Sequence, residues 1–457
     1  MKQFDIVVVG GGPGGYVAAI KAAQAGKTVC LVEKNKLGGV CLNWGCIPTK
    51  TLLKSVEMLE SIRHSADFAV TGLDISAAAI DMGKLQKRKN SIVQKLTGGV
   101  GMLLKANGAT VINGQGSFVD NKTLTVGDEQ LKSEKYIIAT GSVPVKPPIP
   151  VSGTAPIIGS DEALDLTAVP ASMVIIGGGV IGIEFAYLYA SLGAKVTVIE
   201  LMDRILPMVD KEITVEVTKM LHGLGINILT EAKVTKIIGN TVHYELAGAE
   251  SNASGEKILM SVGRAPNTEG LNLEGIGVEM NRRAIKVNKA MQTNIPGIYA
   301  IGDVNGTSML AHTASMEGIV AVDNILGHTT SMDYDKIPSC IYIQPEIAAV
   351  GLTEEQARHK FGEVVVGKFP IAANGKAMVQ GETRGLVKVI LEPKFHEILG
   401  VHIYGPHATD LIAEVALAMN LEATAEEVVM SIHPHPTISE IVPEAFHAAL
   451  GKAIHNI

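Results

Sequence analysis

The segment FDIVVVGGGPGGYVAAIKAAQAGKTVCLVE, residues 4–33, combines an apolar strand, a glycine turn, an alanine-rich helix and a second strand that ends in Glu33. This order predicts a βαβ unit. Gly10, Gly12 and Gly15 let the backbone approach a pyrophosphate, whose charge is favoured by the free N–H groups at a helix N-terminus. Glu33 lies 23 residues after Gly10 and is placed to accept hydrogen bonds from an adenosine ribose. The segment therefore predicts a dinucleotide site.

The same plan recurs 167 residues later, in MVIIGGGVIGIEFAYLYASLGAKVTVIE, residues 173–200. A single glycine turn is a weak signal, because such turns also serve only for close helix packing. Here each copy follows a strand, opens a helix and is followed by an acid at the same distance, so we predict a second dinucleotide site. Its candidate residues are Gly177, Gly179, Gly182 and Glu200.

The acid of the second site bears on cofactor choice. Glu200 would repel a 2′-phosphate, so the second site is predicted to prefer NAD over NADP. Arg204 follows within four residues and could weaken this preference, but we interpret it as an exposed surface charge. Two nucleotide sites on one chain imply two cofactors.

Composition excludes several other classes of protein. The 457 residues are 47% hydrophobic and 19% charged, with 49 glycines, which favours an α/β chain of three or four domains. The net charge of −7 includes no basic run, so we expect no nucleic-acid or membrane partner. The N-terminus lacks the layout of a signal peptide. We therefore expect a cytoplasmic chain, or a mature mitochondrial matrix chain if the source is eukaryotic.

Two further strands end in small residues. They are YIIATGS at 136–142, with Thr140 and Gly141, and TNIPGIYAIGDV at 293–304, with Gly302 and Asp303. Both could be ordinary strand-to-helix turns. If they return to the first βαβ unit, Asp303 can accept a ribityl hydroxyl of a flavin. The first domain would then be discontinuous, with the second inserted after about residue 145.

The stretch GGVCLNWGCIPTK, residues 38–50, contains two of the four cysteines, Cys41 and Cys46. An ideal helix puts Cα atoms five residues apart at roughly 8.7 Å, beyond the ~7 Å that a disulfide tolerates. Gly45 relaxes the backbone between them, and Pro48 has no N–H to donate to the Trp44 carbonyl, so the helix is broken where the cysteines lie and a bridge is possible. Metal binding is the weaker interpretation, because zinc sites usually bring a second close pair of ligands.

The stretch HPHPTISE, residues 433–440, allows two interpretations. Thr437 and Glu440 match the capping box that begins a helix. Alternatively, Glu440 orients His435 and keeps it basic, which would make His435 a general acid/base for a redox dithiol. The surrounding sequence from about residue 340 alternates like antiparallel strands and then turns helical, which predicts a third kind of domain.

Six motifs occur in an order that resembles the pyridine nucleotide disulfide oxidoreductases over essentially the whole chain. They are VVVGGGPGG, GGVCLNWGCIPTK, GGGVIGIE, SVGRAPNT, AIGDV and HPHPTISE. The resemblance implies an α/β fold with two Rossmann-like dinucleotide-binding domains, one for FAD and one for NAD, and a C-terminal α+β dimerisation domain. The implied division is 1–145 for the first part of the FAD domain, 146–268 for the NAD domain, 269–338 for the segment that completes the FAD domain, and 339–457 for the dimer interface.

The resemblance also implies roles for single residues. Cys41 and Cys46 would form a redox-active disulfide in which Cys41 exchanges with substrate and Cys46 lies against the flavin. His435 and Glu440 would act on the disulfide of the partner subunit, so that the homodimer is the catalytic unit. Further residues implied are the ion pair Lys50–Glu184 near flavin and nicotinamide, and Gly263 and Ala311 at the cofactors. Lys50 and Glu184 could instead be two unpaired surface charges.

Within the family, the chain resembles the members that oxidise protein-bound dihydrolipoamide with NAD. Glutathione-type reductases usually read GCVPKK where this chain reads GCIPTK, and they use NADP. The implied partners are the lipoyl domains and the subunit-binding domain of a 2-oxo acid dehydrogenase acyltransferase, or the glycine cleavage system. Two departures, Ile343 and Thr313, stand where threonine and lysine are commoner in the family, and they leave the substrate channel and the interface less defined.

Overall fold

The N-terminal βαβ unit belongs to a five-stranded parallel sheet in the computed structural model, which describes residues 1–456. The strand that precedes the first glycine turn, Ile6–Val9, lies at the centre of this sheet. A strand from far along the chain forms one edge, because Ile298–Ala300 pairs with Tyr136–Ile138. Across the sheet the strands are Ile298–Ala300, Tyr136–Ile138, Ile6–Val9, Val29–Glu33 and Thr110–Asn113.

A second five-stranded parallel sheet has the same order in four of its strands, but its edge strand next to Lys257–Met260 comes first along the chain and not last. The strand that precedes the second glycine turn, Ser172–Ile176, lies at the centre, and the strand that ends just before Glu200, Lys195–Ile199, lies beside it. Across the sheet the strands are Ile157–Ile158, Lys257–Met260, Ser172–Ile176, Lys195–Ile199 and Asn227–Leu229. The repeat seen in the sequence therefore extends to four adjacent strands of each sheet, and the fifth strand enters from a different place in the chain.

Each parallel sheet carries a small sheet on one face, formed by an antiparallel meander with one short parallel strand at its edge. The continuous apolar sequence of the central strand explains this: Val7 and Val9 pack with the first meander, whereas Ile6 and Val8 pack with the helices. Parallel strands that are buried on both faces need such continuous apolar runs. The strands of the two small sheets are Lys2–Gln3, Gly116–Asp120, Thr123–Val126 and Glu129–Lys132, and Val151–Ser152, Ala232–Ile238, Thr241–Leu246 and Ala249–Ser254.

The C-terminal part is a five-stranded antiparallel sheet with helices packed on it. Its strands are Ser339–Ile341, Glu346–Gly351, Ile398–Gly405, Leu386–Leu391 and Val365–Pro370. Two further pairs of short strands are Ser142–Pro144 with Arg264–Pro266, and Met280–Asn281 with Ala284–Ile285. The first of these pairs joins the two segments that run between the parallel sheets.

Thirteen α-helices lie in the described part of the chain, and none of them is long and apolar enough to cross a membrane. They are Pro13–Gln24, Gly39–Trp44, Cys46–Arg63, Met82–Ala106, Ser160–Leu164, Val180–Ser191, Lys211–Gly223, Ala311–Ile325, Glu354–Phe361, Gly375–Gln380, Ala408–Asn420, Ala425–Met430 and Ile441–Ala449. Short 3₁₀ turns occupy Ser65–Phe68, Ile75–Ala77, Gly302–Asn305 and Ile371–Ala373.

Candidate active site

A cavity of about 1900 Å³ is lined by both glycine turns, by the cysteine motif and by the start of the C-terminal sheet. Most of the residues singled out in the sequence line it. They are Gly10, Gly12, Glu33, Cys41, Cys46, Lys50, Thr140, Gly141, Gly177, Gly179, Glu184, Glu200, Gly263, Gly302, Asp303 and Ala311. Within residues 1–456, Gly15, Gly182, His435 and Glu440 are not among its lining residues.

The first glycine turn holds its helix tightly against the strand. A Cβ on Gly10 would lie 2.2 Å from the Ala139 carbonyl oxygen, and a Cβ on Gly15 would lie 1.8 Å from that of Gly10. Gly15 therefore serves close packing behind the cavity, whereas a Cβ on Gly12, which caps the helix, would meet only the Cα of Gly39, at 3.9 Å. The Glu33 carboxylate accepts the N–H groups of Gly11 and Asn35 at 2.6 and 2.7 Å. Its position is thus fixed before any ribose arrives.

The second turn reproduces this geometry. A Cβ on Gly182 would lie 2.0 Å from the carbonyl oxygen of Gly177. The Glu200 carboxylate accepts the N–H groups of Gly178 and Met202 at 2.5 and 2.7 Å. Both turns therefore have the open, helix-capping cradle and the anchored acid that an adenosine diphosphate requires.

The interpretation of Arg204 as an exposed surface charge was wrong. Its side chain is only a quarter exposed, and its guanidinium pairs with Glu355 at 3.0 Å. Glu355 lies in the helix Glu354–Phe361 of the C-terminal part. Arg204 is thus directed to a helix of the C-terminal part, and it does not line the cavity beside Glu200.

The turn Gly302–Asn305 presents Asp303 to the cavity. Asp303 accepts the hydroxyl of Ser142 at 2.5 Å. Behind the turn lies Glu317, which is fully buried and accepts the Gly302 N–H at 2.5 Å and the Tyr334 hydroxyl at 2.5 Å. Burial raises the pKa of Glu317 in spite of these donors. This support could not be predicted from the sequence, because a glutamate within a helix gives no local sign of burial.

The two cysteines of the motif lie on either side of a break in the helix. Cys41 lies in the helix Gly39–Trp44, Gly45 interrupts it with φ −138° and ψ −111°, and Cys46 begins the next helix. This is the distortion that the sequence requires if the two are to meet. Both are free thiols in this structure, and their disulfide stays a prediction.

The two thiols differ in acidity. The hydrogen bond that Cys41 donates lowers the pKa of Cys46 to about 7; burial opposes this change and the ammonium of Lys50 assists it. The pKa of Cys41 is raised, because its proton is held by Cys46 and because the thiol is buried. The pair can therefore hold one negative charge, and that charge lies on Cys46.

Lys50 and Glu184 form an ion pair, and the alternative of two surface charges is excluded. Lys50 Nζ lies 2.9 Å from both carboxylate oxygens of Glu184, which is only 3% exposed. Tyr342 adds two contacts: its N–H donates to Glu184 at 3.1 Å, and its ring centroid lies 4.5 Å from Lys50 Nζ. Sequence analysis did not single out Tyr342, which follows the strand Ser339–Ile341.

His435 and Glu440 pair as the functional interpretation requires. His435 Nδ1 lies 2.9 Å from Glu440 Oε1, and the imidazole is 78% exposed. Burial alone would raise the pKa of Glu440, but hydrogen bonds from the Thr437 N–H and from His435 hold it below its usual value. Only half of the predicted capping box forms. The Thr437 hydroxyl donates to the Pro434 carbonyl, and the helix begins at Ile441.

The other two cysteines have different surroundings. Cys30 lies in the core of the first sheet, where burial raises the pKa of its thiol to about 12. Cys340 lines the cavity, and burial raises its pKa to about 11. Both are protonated at neutral pH and are therefore poor nucleophiles compared with Cys46. The two departures noted in the sequence, Ile343 and Thr313, are buried.

Comparison with known proteins agrees with this geometry. Residues 4–318 match the family model described as pyridine nucleotide-disulphide oxidoreductase. Residues 337–446 match the dimerisation domain of that family.

Similar proteins extend along the whole chain. A dihydrolipoyl dehydrogenase of Bacillus subtilis (strain 168) is 44% identical over 474 residues and covers 99% of this chain and 99% of its own. A dihydrolipoyl dehydrogenase of Geobacillus stearothermophilus is 43% identical, with coverage of 100% and 98%. Among solved structures, the HOCl-induced flavoprotein disulfide reductase RclA of Escherichia coli is similar with a TM-score of 0.86 at 30% identity, covering 97% and 99%. The chain belongs to the pyridine nucleotide-disulphide oxidoreductase family.

Proposed function

We propose that this protein is a dihydrolipoyl dehydrogenase, which oxidises dihydrolipoamide to lipoamide and reduces NAD⁺ to NADH. The observation that carries the proposal is the Cys41–Cys46 dithiol, because it lines the same cavity as both dinucleotide cradles. The identity of 44% to a dihydrolipoyl dehydrogenase over nearly the full length of both chains supports the choice of substrate.

FAD is assigned to the first cradle and NAD to the second. Gly10, Gly12 and Glu33 would hold the adenosine diphosphate of FAD, and Asp303 would accept a ribityl hydroxyl. Gly177, Gly179 and Glu200 would hold NAD in the same way, with Gly263 and Ala311 as further cofactor contacts. When bound, FAD accepts two electrons from the dithiol and delivers them as a hydride to NAD⁺.

The residues of the chain carry the sulfur chemistry. A thiolate of dihydrolipoamide attacks the sulfur of Cys41 in the Cys41–Cys46 disulfide, and Cys46 leaves as a thiolate beside the ammonium of Lys50. The second thiol of the substrate then attacks the substrate sulfur of the mixed disulfide, which releases lipoamide and the thiolate of Cys41. His435 takes up the proton that these steps free, and Glu440 orients the imidazole.

The exposure of His435 supports a composite site. Within a single chain, His435 does not line the cavity, and it lies in the region that matches the dimerisation domain. We therefore assign the base of each subunit to the disulfide of the other. The partners of the dimer are proposed to be the lipoyl domains and the subunit-binding domain of a 2-oxo acid dehydrogenase acyltransferase, or alternatively the glycine cleavage system. The location is proposed to be cytoplasmic, and the domain division is that given above.

A steady-state comparison of disulfide and nucleotide tests the proposal. Lipoamide and glutathione disulfide are each supplied with NADH and with NADPH, and the loss of the reduced nucleotide is followed. Rapid turnover is expected only for lipoamide with NADH. The similarity to dihydrolipoyl dehydrogenases favours lipoamide over glutathione disulfide, and Glu200 disfavours the 2′-phosphate of NADPH. Comparable turnover with glutathione disulfide, or with NADPH, would contradict the assignment.

A further inference from the structure

His433 lies two residues before His435 and is much more buried. Its side chain is only 9% exposed, whereas that of His435 is 78% exposed. Its Nδ1 lies 3.0 Å from the Ser431 carbonyl oxygen, and its Nε2 lies 2.7 Å from Glu414 Oε1. The side chain of His433 is therefore held through both ring nitrogens, by the Ser431 carbonyl on one side and by the Glu414 carboxylate on the other.

The partner of His433 is part of a fixed element. Glu414 lies in the helix Ala408–Asn420, whose residues Ile412 and Val415 are buried in the core of the C-terminal sheet. The segment that bears His435, from the end of the helix Ala425–Met430 to Ile441, has no helix or strand of its own. His433 is thus the point at which this segment is attached to a helix on the N-terminal side of His435.

A second attachment lies on the other side of His435. Asn374 donates to the Thr437 carbonyl at 3.1 Å, and the side chain of Ile438 is buried. The segment is therefore held before and after His435, while His435 itself reaches outward. A base that must act on another subunit needs such support, because its own exposed side chain has few contacts that could fix it.

We propose that the His433–Glu414 pair is a positioning element that aims His435 at the disulfide of the partner subunit. The inference rests on the proposed role of His435 as the base. It predicts that loss of the pair slows the exchange of electrons between substrate and dithiol and leaves the transfer between NADH and flavin intact, because the second reaction does not use His435.

The test uses the FAD-loaded dimer and two reactions. The first is oxidation of dihydrolipoamide by NAD⁺, and the second is oxidation of NADH by ferricyanide, which takes electrons from the flavin without the dithiol. For Glu414→Ala we expect kcat of the first reaction to fall roughly 10- to 100-fold, the size of effect that misplacement of a catalytic group produces. The ferricyanide rate and the KM for NAD⁺ should change by about twofold or less.

Two variants serve as matched comparisons. Glu414→Gln keeps an oxygen that can accept from Nε2 but removes the charge, so its kcat should lie between those of Glu414→Ala and the unaltered enzyme. His396→Ala removes a histidine–glutamate pair of the same chemistry in the same part of the chain, that with Glu426 at 2.6 Å, and should leave both reactions unchanged.

The outcomes separate the inference from the proposed function. If His435→Gln loses dihydrolipoamide turnover while Glu414→Ala keeps it, the positioning role is wrong and the proposed function stands. If His435→Gln itself keeps turnover, the assignment of the base is wrong. Equal loss of both reactions in Glu414→Ala, or its dissociation into monomers in sedimentation, would mean that the pair only stabilises the fold, which also overturns the inference.

Discussion

The acidity of Cys46 can be measured directly in the variant Cys41→Ser. This change removes the disulfide partner, so Cys46 is a free thiol without any added reductant. Serine retains an O–H that can donate to the Cys46 thiolate, as the Cys41 thiol does in the structure. Lys50 stays in place beside it. The variant therefore preserves the two influences that lower the pKa of Cys46.

The expected magnitude follows from the structure. The pKa of Cys46 falls from 9.0 to about 7, which corresponds to a preference of about 2.7 kcal/mol for the thiolate. At pH 8 about nine-tenths of Cys46 would be thiolate, compared with about one-tenth of an ordinary cysteine. Because the folded-state pKa is the lower one, the resulting stabilisation of the folded protein is complete above pH 9 and is lost as the pH falls toward 7.

The assay is the thiolate absorbance at 240 nm as a function of pH. The same titration of Cys41→Ser/Cys46→Ser is subtracted, which removes the contributions of flavin, tyrosines and the other cysteines. The difference should have its midpoint near pH 7, and adding Lys50→Met should move the midpoint upward because the neighbouring cation is lost. A midpoint near 9, or no response to Lys50→Met, would refute the reasoning.

Three further changes should affect separate parts of the molecule. Gly182→Ala puts a methyl group 2.0 Å from the Gly177 carbonyl oxygen. Because such overpacking costs about 1–3 kcal/mol of stability and displaces the second glycine turn, the KM for NAD⁺ should rise while the flavin stays bound. An unchanged KM would contradict this. Lys388→Met leaves the buried carboxylate of Asp210, 2.9 Å away, without its cation. Urea denaturation should therefore show that the free energy of unfolding falls by about 3–5 kcal/mol. A variant of unaltered stability would mean that Asp210 finds another partner. Glu317→Ala removes the acceptor behind the Asp303 turn, so gel filtration should release FAD that the unaltered enzyme retains; full retention would show that the turn holds itself.

The two dinucleotide cradles could be predicted from the sequence because their contacts are local. Gly10 and Gly15, like Gly177 and Gly182, meet within a few residues of the chain, and their spacing is a direct consequence of strand, turn and helix geometry. The break at Gly45 was likewise predictable from the glycine itself. Local geometry of this kind leaves a pattern in the sequence.

Contacts between distant segments left no such pattern. Lys50 meets Glu184 across 134 residues, and only family resemblance suggested the pair. Tyr342, which contacts both, was not predicted, because both of its partners lie in distant segments of the chain. Arg204 was misjudged for the same reason: its partner Glu355 lies in another part of the fold.

Anaerobic addition of dihydrolipoamide to the FAD-loaded enzyme tests the central claim most directly. We expect a yellow protein in which the substrate opens the Cys41–Cys46 disulfide. A long-wavelength absorbance band should then appear, due to the Cys46 thiolate against oxidised flavin. The band should be absent in Cys46→Ser and should disappear when NAD⁺ is added, with formation of NADH. A colourless protein, or a band that persists in Cys46→Ser, would contradict the account.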